Sequence, residues 1–117
     1  MGLEIAVEMS ELSGALDALR KLNPARDEAT KFNHAYSVSD AAKKLHAAIW
    51  EKRPSKTEIS ILVLPLIEDA CNALKNLYPE DEEGFYDLME SRERNIQRYL
   101  EGKPSDFLSD FIGIAAA

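Results

Sequence analysis

A chain of 117 residues, 45% hydrophobic and 30% charged, is long enough to bury one core and too apolar to remain disordered. Its formal net charge of -7 disfavours phosphate backbones and anionic lipid heads as partners, and its single cysteine excludes an intrachain disulfide. No window approaches the length of a membrane span and the start, MGLEIAVEMSEL, lacks a basic n-region, so the expectation is a single cytoplasmic domain over residues 1–117.

Ile5, Met9, Leu12, Leu16 and Leu19 recur at helical spacing and predict a first helix. Leu3, Ile5, Val7 and Met9 also alternate with Glu4, Ala6 and Glu8 in the manner of a strand, but that pattern stops where the helical stripe continues. Asn23 as N-cap and Pro24 at the first helical position start a second helix, with the stripe Ala25, Ala29, Phe32 and Tyr36. The next apolar set, Val38, Ala42, Leu45 and Ile49, is out of phase with it. One straight helix cannot bury both, so a break is expected near Ser37 to Ser39, with Ser39 capping a third helix.

Pro54, Ser55 and Glu58 form a capping-box start for the central segment. At 100° per residue, Ile59, Leu62, Val63, Leu66, Ile67, Ala70, Ala73, Leu74 and Leu77 share one arc, while Pro65 lies on the far side. A proline there bends the helix rather than ending it. The alternative is a buried strand over 59–64 with a helix beginning at Pro65. Beyond Pro79 and the acidic EDEEG, the residues Phe85, Leu88, Met89, Ile96, Tyr99 and Leu100 mark a further helix that stops at Gly102. Ser105 can cap a last short one carrying Phe107, Leu108, Phe111 and Ile112. The expected fold is therefore all-α, a bundle of five to six helices around a kinked, largely buried central helix at about 55–78.

The chemistry looked for is largely missing. Cys71 falls mid-helix, away from a helix N-terminus that would favour a thiolate, and reads as a small buried hydrophobe. His34 and His46 lack the spacing of a metal-binding helix pair. Glu8 with Glu11, and Glu80 with Glu83, make Glu-x-x-Glu pairs similar to the magnesium-binding pair of all-α MazG-type nucleotide pyrophosphohydrolases. Neither has the accompanying Glu-x-x-Asp helix, so no residue is carried over from that family. No catalytic residue and no cofactor is assigned.

What remains is surface. Ile61 and Leu64 lie off the core arc beside the proline, and Phe107 and Phe111 form a second apolar pair. With Glu82, Glu83 and Asp87 as electrostatic steering, they suggest a small regulator, inhibitor or adaptor that binds a protein partner with a basic or apolar surface. A homodimer through the same positions is the other occupant. Two rival classes stay open. One is a magnesium-dependent nucleotide-handling bundle that uses Glu8 and Glu11 as an oligomer. The other is a nucleic-acid-binding module built on Lys43, Lys44, Lys52, Arg53 and Lys56 around Trp50, a patch that also reads as a solvated helix face.

Overall fold

The computed structural model describes residues 5–21, 28–80 and 84–104, and among these the chain is helical with no strand. Helix α1 is Ala6–Arg20 and α2 is Glu28–Lys52. Helix α3 is continuous from Lys56 to Leu77, built as an α turn at Lys56–Glu58, a π-helical turn at Ile59–Val63 and an α segment at Leu64–Leu77. Helix α4 is Phe85–Glu101. Among the described residues the architecture is all-α with four helices, against the five to six expected over the whole chain.

Helix α1 packs on α2 and α3, α4 packs on the same two, and α2 and α3 also touch each other. Cross-contacts set the directions. Glu8 near the start of α1 pairs with Lys52 at the end of α2, so these two are antiparallel. Ser39, His46 and Pro54 meet Arg92, Asn95 and Tyr99 in the same order, so α2 and α4 run parallel. The core between them is a contiguous set that includes Ile5, Leu12, Leu16, Leu45, Ile49, Ile67, Leu74, Met89 and Ile96.

Helix α1 follows its stripe: Ile5, Leu12, Leu16 and Leu19 are buried, whereas Val7 is 66% exposed, which removes the strand alternative. The expected break in α2 is absent. One helix runs through Ser37 to Ser39 because only the second apolar set is core, as the buried line Ala35, Val38, Ala42, Leu45 and Ile49 shows. Phe32 and Tyr36 stay substantially exposed instead of forming a core stripe of their own, so there is no phase conflict for the backbone to resolve. Ser39 caps nothing; it is buried and accepts from Arg92 through both its carbonyl and its hydroxyl, at 2.9 and 3.1 Å. The proposed cap at Asn23 and the last helix from Ser105 lie outside the described residues.

The capping box at the start of α3 is present. Ser55 Oγ accepts from the Glu58 amide at 3.2 Å and donates to its carboxylate at 2.9 Å. The helix then continues through Pro65, so residues 59–64 are helical and not a strand. The π turn is what accommodates the proline. Its closing bond runs from the Leu64 amide to the Ile59 carbonyl, five residues back, and the wider turn moves the Ile61 carbonyl off the position where the ring would strike it. A wider turn also advances each residue by less than 100°. Ile59, Val63 and Ile67, four apart, thereby come into line as core residues, each fully buried. The same underwinding expels Leu62 from the arc that regular helical spacing assigns it, and Leu62 is 49% exposed. Helix α3 is thus buried along one side and open to solvent at Ser60, Ile61 and Leu62, rather than largely buried.

Helix α4 ends as the glycine requires. Gly102 sits at φ 75°, where a side chain would be strained, and its amide and that of Lys103 close back on Tyr99 and Arg98 in a Schellman-type stop. The α2–α3 connection is held differently. Arg53 takes φ 53°, its guanidinium lies over the rings of Trp50 and Tyr99 at 5.0 and 5.8 Å, and Tyr99 Oη donates to the buried Pro54 carbonyl at 2.6 Å.

Candidate functional site

Of the residues proposed to meet a partner, Ile61, Leu64 and Asp87 are among those described. Ile61 is 65% exposed on the π turn, while Leu64, one turn on, is half-buried and packed against the core. Asp87 is exposed in the first turn of α4, next to the C-terminal end of α3 and therefore about 24 Å along the helix axis from Ile61. Glu82, Glu83, Phe107 and Phe111 lie outside the described residues. Other acids lie further along α3, at the level of Glu68 and Cys71, about 10 Å or more along the axis from Ile61. Glu68 is exposed two turns further along α3, and Glu90 and Glu93 project from the adjoining part of α4. Burial, then the charges of Glu68 and Glu90, push the Glu93 carboxyl up. Glu90 and Glu93 form a Glu-x-x-Glu pair that residue spacing could have flagged.

A second exposed patch sits at the opposite end of the bundle. Phe32 stacks with Tyr36 at 6.5 Å and tilts against Phe85 at 5.5 Å; Phe85 in turn lies 5.9 Å from Tyr78. Leu88, one turn beyond Phe85, is 42% exposed. Their sequence signal, an apolar set out of phase with its own helix, was present, but it can be absorbed equally well by a helix break.

The rival sites take a different shape in space. Glu8 Oε2 faces the Lys52 ammonium at 3.8 Å, Glu11 is exposed, and among the described residues no group of three or more acidic, histidine or cysteine side chains could hold a metal ion. In the basic segment Lys44 pairs with Asp40 at 3.4 Å and Lys52 with Glu8. Trp50, on which base stacking would depend, is buried with its edge against Tyr99 at 5.2 Å. No described helix is long and apolar enough to cross a membrane.

The interior carries a polar layer that spacing did not reveal. His46 is fully buried and meets Asn95 at 2.6 Å through Nε2; with the Asn95 amide donating, the ring proton resides on Nδ1. Burial, then the nearby Arg92 charge, lowers the His46 pKa to about 4, so the ring is neutral at pH 7. Arg92 itself is buried across the α2–α4 contact, where desolvation lowers its pKa and Asp40 opposes the shift. This layer has the geometry of a register-setting contact: it ties α4 to α2 at two levels, Ser39 and His46.

Cys71 is buried, and burial followed by the charges of Glu93, Glu90 and Glu68 pushes its thiol up to about 12. At pH 8 it is a thiol, not a nucleophile. Alkylation by iodoacetamide is therefore expected to be negligible in the folded protein and rapid once urea unfolds it. A modification rate equal in the two states would show the site to be open.

Comparison with protein-family models, with curated proteins and with solved structures finds no match for this chain. The fold and surface alone define its class: an all-α chain, with four helices among the described residues and aliphatic side chains exposed on a π turn.

Proposed function

We propose that the protein is an interaction module, a small regulator, inhibitor or adaptor that docks a protein partner on the outer side of α3. The observation that carries the reading is the pair Ile61 and Leu62, 65% and 49% exposed on one turn. A π turn in a helix is a costly local feature frequently found at functional sites, and here it moves a leucine out of the core arc and into solvent. Glu68, exposed two turns beyond Ile61 on the same helix, adds a negative charge to this side, so the partner that fits best presents an apolar anchor with a basic flank. A second copy of the chain is the competing occupant.

Leu64 touches the core, so charging it would unfold the protein as well as spoil the surface. Ile61→Asp with Leu62→Asp touches exposed positions only. The double variant is expected to keep the circular dichroism and melting temperature of the parent, and to lose the partner that the parent retains in affinity capture from its host. Light scattering of the two proteins separates self-association from a foreign partner. Retention of the same partner by the double variant would move the docking surface elsewhere.

A further inference from the structure

We infer that the cleft between α1 and α3 is a binding site for a small zwitterionic α-amino acid with an apolar side chain. The cleft has a volume of about 300 Å³, with Leu19 and Ala73 on its apolar wall and Arg20, Asp69, Asn72 and Asn76 around it. This is the composition of a small-molecule site between bundle helices: an apolar wall with a few convergent polar groups. It is separate from the proposed docking surface.

The ligand class follows from the charges. Arg20 Nη2 and Asp69 Oδ2 are 3.6 Å apart, with side chains 51% and 56% exposed, a loose surface pair that holds little energy. An α-amino acid carries a carboxylate and an ammonium on one carbon. Placed between the two side chains, it exchanges one weak ion pair for two, a carboxylate on the guanidinium fork and an ammonium on Asp69, and leaves the net charge of the cleft unchanged. Asn72 and Asn76 lie one turn apart on α3 and offer amide donors and acceptors to the remaining polar atoms. The ligand's side chain then covers Leu19 and Ala73. An anion or a cation alone satisfies one member of the pair and strands the other.

Leucine, N-acetylleucine and leucinamide distinguish these cases, read by chemical shifts of the Asn72, Ala73 and Asn76 amides in titrations of the full chain. Leucine is expected to shift all three and to bind at least tenfold more weakly to Arg20→Gln and to Asp69→Asn, each of which changes an exposed side chain. N-acetylleucine, which has lost the cation, should bind Asp69→Asn better than the parent. Leucinamide, which has lost the anion, should bind Arg20→Gln better than the parent. No shift of these amides at about 10 mM leucine, tenfold above a millimolar dissociation constant, overturns the assignment. So does leucine binding that neither variant weakens. Neither result bears on the docking surface of α3.

Discussion

Acidification from pH 7 to pH 5 is expected to destabilise the fold by about 2 kcal/mol through His46 alone. The folded ring, buried beside Arg92, has its pKa lowered from 6.5 to about 4, whereas the unfolded chain protonates normally. Between these values the unfolded state binds a proton that the native state refuses, so stability is complete above pH 6.5 and falls as the pH drops toward 4. For a domain of this size the loss corresponds to a melting temperature lower by about 8 °C. The control is His46→Gln, which keeps an amide in the layer beside Asn95 and removes the titration. Its melting temperature should be lower than the parent's at pH 7 and nearly flat between pH 7 and 5. An unchanged slope in this variant would assign the acid sensitivity to other groups.

The second large effect concerns the π turn. A π turn is an α turn holding one extra residue, so removing a residue from it restores regular helix without rotating what lies on either side. Deletion of the exposed Ser60, combined with Pro65→Ala to remove the ring clash that regular helix would bring back, is expected to fold cooperatively with a melting temperature close to the parent's. Deletion of the equally exposed Asn72 turns Leu74 and Leu77 by about 100° relative to Ile67 and Ala70. That exchanges core for solvent along the last turn of α3, a loss above about 4 kcal/mol, and circular dichroism should report an unfolded or molten chain. Equal damage from the two deletions would show that the turn stores no extra residue. Restored function in the Ser60 deletion would separate the turn from the proposed docking role, since Leu62 then returns to the core arc.

How far the residues revealed the fold depended on whether one local pattern stood unopposed. In α4 one stripe with clear stops leads directly to the observed helix, in α1 the helical stripe outlasts a shorter strand-like one, and the Ser55 capping box and Gly102 stop stand where expected. In α2, two stripes competed. Periodicity records that a side chain is apolar and not whether something covers it, so Phe32 and Tyr36 counted as core and a break was introduced to save them. In α3, wheel geometry at a fixed 100° placed Leu62 inside, because a change of helix type cannot be read from apolar spacing. The exposure of Ile61 is legible, since it is an apolar residue off its own stripe. That Glu68, Glu90 and Glu93 all act on Cys71 is not, because acids on α3 and α4 come to one place only when the two helices pack.

Local composition by itself determined that this chain is helical, where most of its helices stop, and which side of each helix is oily, since these depend on contacts within a turn or two. Tertiary structure alone decided that α2 passes unbroken through Ser37 to Ser39 and that a π turn lifts Leu62 into solvent. It also joined His46 to Asn95 and Arg92 to Ser39 across 49 and 53 residues of chain. The physical reason is the same throughout: burial is a property of neighbours, and neighbours distant in the chain are chosen by the packing of whole helices.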